Sequence, residues 1–327
     1  MTTLAYPGEP RLDVRNAGVP FDPGWIRNLH VNRSAVERRA ATIPTRRTVK
    51  GEWQAAWLIR AVECLDLTTL AGDDTPGTIR RLAIKARHPV RPEVLRGFGL
   101  DPGALRVAAL CVYHSMVPTA VEALRDSGVL VAAVSTGFPA GQSAFRIKIE
   151  EIKESVAAGA QEIDVVISRA HALAGNWVAL YDEVRAFREA CGAAHMKTIL
   201  ACGELGTLLN VAAASWVCMM AGADFIKTST GKEAINATLP FGLVMARAIR
   251  EYYGQTGYRV GLKPAGGIRT ARQALDWLLL VKEELGEDWM HRSRFRIGAS
   301  GLLTDIERQL WHTLTGHYAA THHQPMP

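Results

Sequence analysis

The sequence predicts a closed barrel of eight parallel strands alternating with helices, a (β/α)8 TIM barrel, preceded by an N-terminal extension. Three observations predict it. Eight short apolar runs start about 20–45 residues apart, with a helical pattern in the gaps between them. The runs are nearly continuously apolar, as strands covered on both faces are. The polar residues they do contain gather at their carboxyl ends, where this fold carries its active site. A G-x-G-x-x-G fingerprint at a first strand–helix turn is absent, which disfavours an open doubly wound sheet.

Residues 1–50 are rich in Pro, Arg and Gly, with one short helix predicted from Ser34 to Ala41. They read as an extension lying on the domain or partly mobile. The barrel is expected over 51–315 and a tail over 316–327. Trp53, Ala56, Trp57, Ile59 and Val62 give the barrel an opening amphipathic helix. Strands are predicted at Cys64–Leu70, Ala108–Tyr113, Val129–Ser135, Glu162–Ile167, Met196–Ala201, Asp224–Thr228, Arg259–Lys263 and Arg294–Ala299. Helices are predicted at Thr78–Ala86, Val117–Ser127, Ser143–Ala158, Trp177–Cys191, Leu205–Ala221, Pro240–Tyr253 and Ala271–Leu285.

Composition bounds the function. The chain has 327 residues, 48% hydrophobic and 21% charged, which points to neither disorder nor a membrane protein. The net charge of +6 draws on Arg27, Arg33, Arg38, Arg39, Arg46, Arg47 and Lys50. A solvated basic surface explains these, and no nucleic-acid motif argues for more. Five cysteines without paired spacing suit free thiols in a reducing compartment. Pro7, Glu9 and Pro10 interrupt any signal-peptide apolar region, so a cytoplasmic location is expected. The ten histidines show no zinc-ligand spacing, and His322 and His323 fall in the tail, so no metal is expected.

The chemistry centres on two lysines. Lys227 and Lys263 each end an apolar run, and each is followed by a glycine turn. A lysine buried in an apolar strand loses hydration, which lowers its pKa, and two facing one cavity should depress each other further. An uncharged amine forms imines with carbonyls. Asp164, inside Glu162-Ile163-Asp164-Val165-Val166-Ile167, is expected to face these lysines as an ion-pair partner, a proton carrier or both. The turns Thr230-Gly231-Lys232, Ala265-Gly266-Gly267-Ile268-Arg269 and Gly298-Ala299-Ser300-Gly301 are shaped to receive a phosphate, with the following helix N-termini adding favourable field. Asp66 and Thr68 either bind a substrate hydroxyl or cap the next helix. Cys111 reads as a small core residue more than a nucleophile, bordering the substrate at most. The residues alone thus point to an imine-forming enzyme acting on a phosphorylated aldehyde or ketone.

Several runs resemble the deoxyribose-phosphate aldolase family. They are Leu65-Asp66-Leu67-Thr68-Thr69-Leu70, Glu162-Ile163-Asp164-Val165-Val166, Phe225-Ile226-Lys227-Thr228-Ser229-Thr230-Gly231, Lys263-Pro264-Ala265-Gly266-Gly267-Ile268-Arg269 and Phe295-Arg296-Ile297-Gly298-Ala299-Ser300. The likeness runs from about Ala61 to about Arg308, and the extension and ending look like the longer branch that includes animal enzymes. It implies a class I aldolase, without cofactor or metal, cleaving 2-deoxy-D-ribose 5-phosphate reversibly to D-glyceraldehyde 3-phosphate and acetaldehyde in deoxyribonucleoside catabolism. Lys227 matches the Schiff-base lysine, Lys263 the second lysine that perturbs it and relays protons, and Asp164 the proton-relay aspartate. Gly231, Lys232, Gly266, Gly267 and Ser300 match phosphate-site positions; Asp66, Thr68, Cys111, Thr228 and Gly301 complete the expected substrate-binding set. Two departures stand out: Gly301 follows Ser300 where a hydroxyl residue is frequent, and the chain ends in Gln324-Pro325-Met326-Pro327 where some bacterial members end in an active-site tyrosine. Tyr318 is the nearest tyrosine. The expected partners are a sugar phosphate and acetaldehyde, with no nucleic acid and no membrane; a homo-oligomer is compatible but not indicated. A lysine aldolase or transaldolase for ketose phosphates, and a silent sugar-phosphate-binding barrel, remain as alternatives.

Overall fold

The computed structural model describes residues 15–46, 49–320 and 323. The extension contributes α1 (Pro23–Arg27) and α2 (Arg33–Arg46), and α3 (Glu52–Glu63) leads into the barrel. The repeat then runs β1 (Leu65–Thr68), α4 (Pro76–Arg87), α5 (Pro92–Gly97), β2 (Ala109–Tyr113), α6 (Val117–Ala123), β3 (Leu130–Ser135), α7 (Phe145–Ala157) and β4 (Glu162–Val166). It continues α8 (Arg169–Leu173), α9 (Trp177–Cys191), β5 (His195–Ile199), α10 (Leu208–Met220), β6 (Phe225–Lys227), α11 (Leu239–Thr256), β7 (Gly261–Lys263), α12 (Ala271–Leu285), β8 (Ile297–Ala299) and α13 (Gly301–Thr315). All eight predicted strands form, each shorter than expected: β1, β4, β5 and β6 end before the predicted run does, whereas β2, β3, β7 and β8 keep their last residue and start later.

The strands pair in parallel in the order β7-β6-β5-β4-β3-β2-β1-β8. Closure comes from bridges Leu262↔Phe295 and Ala265↔Gly298, with Leu262 N–H donating to the Arg294 carbonyl and Gly298 N–H to the Pro264 carbonyl. The period-2 alternation of strands splits the packing into two zones. Leu65, Leu67, Leu110, Val112, Ile163, Val165, Met196, Ile226, Leu262 and Ile297 point outward into the main core beneath the helices. A small inner cluster holds Ala109, Cys111, Ala132 and Val134, with Leu70, Tyr113 and Phe138 against it. Gly261 faces the Phe225 ring so closely that a Cβ would enter it, so this strand needs glycine for packing.

The extension is more structured than the sequence suggests. The α2 helix is longer than the predicted Ser34–Ala41 segment, and its Val36, Ala40 and Ile43 are buried in the main core. Asn16 is buried, donating to the Met219 and Ala223 carbonyls at 2.8 and 2.9 Å. Arg15 pairs with Asp224 at 2.8 Å. Arg39 bridges to Glu283 and Glu284 at 2.8 and 3.1 Å, so part of the basic excess is paired and not free surface. No helix among the described residues is long and apolar enough to cross a membrane.

Candidate active site

Strand alternation brings charged side chains from six strands or strand ends into the barrel interior. Lys227 Nζ donates to Asp164 Oδ2 at 2.8 Å, and Lys263 Nζ donates to the same oxygen at 2.7 Å. Lys263 also contacts Asp66 Oδ2. Lys197, on β5 beside Asp164 in register, reaches Asp164 Oδ1 at 3.0 Å and Glu162 Oε2 at 2.6 Å. Arg296, just before β8, spans Asp66 Oδ1 at 2.6 Å and Glu162 Oε1 at 2.7 Å. Its guanidinium lies 5.5 Å from the centre of the Phe225 ring, which floors the cluster. None of the seven groups is more than 3% exposed.

The electrostatics follow from this packing. Burial alone would raise Asp164, but the Lys197, Lys227 and Lys263 ammoniums hold it well below the usual carboxylate range. Asp66 and Glu162 are lowered in the same way, Asp66 chiefly by Lys263 and Arg296, Glu162 chiefly by Arg296 and Lys197. Lys263 reverses the sequence expectation. Desolvation does press it downward, but the Asp164 and Asp66 carboxylates outweigh that and raise it above the ordinary lysine value. Lys263 is therefore a fixed cation and not a second depressed amine.

Above the cluster lies a cavity of about 320 Å³ at the carboxyl ends of β6, β7, β8 and β1. Of the four basic groups below, Lys227 alone lines it. Of the other sequence candidates, Thr68, Gly231, Lys232, Gly266 and Ser300 line it as well. The remaining ones sit elsewhere. Asp66 is fully buried in ion pairs and meets no substrate-facing space. Cys111 is fully buried in the inner apolar cluster, where burial raises its thiol pKa. Thr228 turns inward, its hydroxyl accepting from Ala265 N–H at 3.0 Å and so clasping the ends of β6 and β7. Gly267 and Gly301 flank the cavity without lining it.

The three glycine turns also differ from one another. The amides of Thr230 and Gly231 are taken by the Glu233 carboxylate at 2.9 and 3.1 Å, and α11 begins only at Leu239, capped by Thr238. The α12 N-terminus is closed by a capping box of Thr270 and Gln273 and by Asp305 accepting from Ala271 N–H. At α13, by contrast, Ser300 makes no capping bond with its own side chain, and the helix opens onto the cavity. One helix N-terminus, not three, thus offers an anion site here.

Residues 65–303 match the model of the DeoC/LacD family aldolases. The chain belongs to this family. It is 56% identical over 317 residues to the deoxyribose-phosphate aldolase of Homo sapiens, covering 96% of this chain and 100% of that one. Against the deoxyribose-phosphate aldolase of Mus musculus the identity is 57% over 311 residues, covering 94% and 98%. Among solved structures, a tetrameric deoxyribose phosphate aldolase from Aeropyrum pernix superposes with a TM-score of 0.58 at 21% identity, covering 86% and 99%, which shows a common fold.

Within this family member, sequence reasoning missed Glu162, Lys197 and Arg296. The signal was present. Glu162 lies two residues before Asp164 and so shares its face, and a charge in the strand His195–Ile199 needs a partner. Tyr318 stays away from the cavity. It stacks on His312 with ring centroids 4.3 Å apart, about 16 Å along α13 from the helix start at Gly301. The expected solvation of His322 and the ending Gln324–Pro327 lie outside the described residues. Among those described, no group of three or more His, Cys, Asp or Glu is disposed to hold a metal ion.

Proposed function

We propose that this DeoC/LacD family chain is a class I deoxyribose-phosphate aldolase that works through a Schiff base on Lys227. One observation carries the residue assignment: Lys227 is the single basic group of the buried cluster that borders the cavity. The cluster counts four basic groups, Lys197, Lys227, Lys263 and Arg296, against three carboxylates, Asp66, Glu162 and Asp164. Lys227 is the amine of this cluster that a substrate carbonyl entering the cavity can reach.

The chemistry then runs as follows. Uncharged Lys227 Nζ adds to the C1 carbonyl of open-chain 2-deoxy-D-ribose 5-phosphate, and loss of water gives a protonated imine. The imine accepts the electron pair of the C2–C3 bond as the 3-hydroxyl gives up its proton, releasing D-glyceraldehyde 3-phosphate and leaving an enamine. Protonation at C2 and hydrolysis free acetaldehyde and restore the lysine. Asp164 is too weak a base, and Lys263 too firmly charged, to carry protons far by themselves. They support the reading in which the pair orients Lys227 and a cavity water that moves the protons. At the other end, Lys232, Ser300 and the α13 N-terminus suit the phosphate, and holding it keeps C1 in register with Lys227.

Borohydride trapping tests the proposal. Reduction in the presence of acetaldehyde or 2-deoxyribose 5-phosphate should place a mass-spectrometric adduct on Lys227. An adduct formed only with dihydroxyacetone-type ketoses, or none at all, overturns it.

A further inference from the structure

The turn between β6 and α11 spends its own amides. Glu233 accepts from Thr230 N–H with both carboxylate oxygens, at 2.9 and 3.1 Å, and from Gly231 N–H at 3.1 Å. Lys232 N–H donates to the Thr230 hydroxyl at 3.1 Å. Three successive amides at the rim of the cavity are thus closed off internally, while Thr230, Gly231 and Lys232 still line it. Glu233 itself does not line the cavity, so its carboxylate lies behind the turn. What the turn presents is the Lys232 side chain, which is exposed and makes no ion pair among the described residues.

The same turn is fastened to its neighbour. Asn236 Nδ2 donates to the Glu233 carbonyl at 2.8 Å, and the Asn236 side chain packs where a Cβ on Gly266 would sit. Ala237 N–H reaches the Gly266 carbonyl at 3.4 Å. Gly266, with φ +81°, lines the cavity beside Lys232. Glu233 therefore sits at the junction that fixes one rim of the cavity against the other.

We propose that Glu233 is a positioning residue for recognition of the substrate phosphate. Its carboxylate folds the turn so that Lys232 meets the phosphate as a pre-set cation, and the anion is held by Lys232, Ser300 and the α13 N-terminus, without the Gly231 amide. The inference rests on the aldolase reading for its substrate. Its physical content is that a braced loop spends less ordering entropy on binding than a free one. The reverse arrangement, in which Glu233 merely blocks a backbone anion nest, predicts the opposite sign.

The experiment compares wild type, E233Q, E233A and K232M by steady-state kinetics and by calorimetry with inorganic phosphate. For E233A, KM for 2-deoxyribose 5-phosphate should rise about tenfold with kcat nearly unchanged. KM for unphosphorylated 2-deoxyribose should stay constant, and E233Q, which keeps one acceptor oxygen, should fall between. In the double variant E233A/K232M the two effects should not add, because both act through one side chain. Unchanged or tighter phosphate binding in E233A overturns the role, as does an equal loss for both sugars, which would mark a general structural defect. Calorimetry separates the two proposals. Equal phosphate affinity in wild type and E233A sinks the Glu233 role, whereas weaker affinity in E233A without any Lys227 adduct in wild type sustains it and sinks the aldolase reading.

Discussion

At the residue scale, the cavity-facing amine and the buried cation beside it should respond differently to mutation. Removing Lys227 leaves Asp164 still bonded to Lys197 and Lys263, so K227A should fold normally while turnover and borohydride trapping disappear. Retained turnover would remove Lys227 from the chemistry. Replacing Lys263 is harsher, because it strips Asp66 and Asp164 of a buried cation. K263L should lose about 3–5 kcal/mol of stability by urea titration, the usual cost of breaking a buried ion pair. Sequence made Lys227, Lys263 and Asp164 legible because each breaks an apolar run. It did not reveal that Lys263 is held charged, since that depends on which carboxylates converge on it from β1 and β4.

At the scale of elements, β6 and β7 were legible from their apolar runs, but their packing was not. Gly261 and Phe225 share the barrel interior, and G261A should cost about 1–3 kcal/mol by overpacking against the ring, measured by chemical denaturation. The double change G261A/F225L should recover part of the loss; no recovery would mean the strain lies elsewhere. The glycine turns teach the same lesson. Each was legible as a turn, yet Glu233 takes the Thr230 and Gly231 amides and the Thr270–Gln273 box caps the α12 N-terminus, while Gly266 and the α13 start face the cavity. Turn residues announce themselves by backbone preference. Whether their amides are free is a question of which distant or local acceptors the fold supplies.

For the whole molecule, stability should depend on pH with a definite shape. Asp66, Glu162 and Asp164 are lowered in the fold, so their stabilisation is complete above about pH 4 and is lost as pH falls through their folded values. Lys197 and Lys263 are raised, so theirs is complete below about pH 10 and is lost as pH rises through their folded values. His291 adds an earlier acid limb. Burial and the Arg292, Arg60, Arg294 and Arg296 charges lower it to about 4, so the unfolded chain takes up its proton first and stability declines from about pH 6.5 downward. Calorimetric Tm against pH should show this limb in wild type and lose it in H291Q; identical curves would assign the acid limb to the carboxylates alone. The extension belongs to the same ledger of packing. N16A would strip the buried Ala223 carbonyl of its Asn16 donor, while the Met219 carbonyl keeps the Gly222 amide and the Tyr252 hydroxyl; the change should cost about 1–3 kcal/mol while kcat stays constant.

Sequence alone determined the number and order of the strands, their parallel sense, the two lysines, the aspartate and the glycine turns. Those follow from local rules: the apolar period, backbone preference, and the cost of a charge in an apolar run. Tertiary structure alone decided that Glu162, Lys197 and Arg296 complete the charge cluster, that Asp66 and Thr228 are spent inside it or beside it, and that Val36, Ala40 and Ile43 of the extension join the core. The physical reason is that burial and electrostatics depend on distances between strands far apart in the chain. No local pattern encodes them until closure of the barrel brings β1, β4, β5, β6, β7 and Arg296 around one axis.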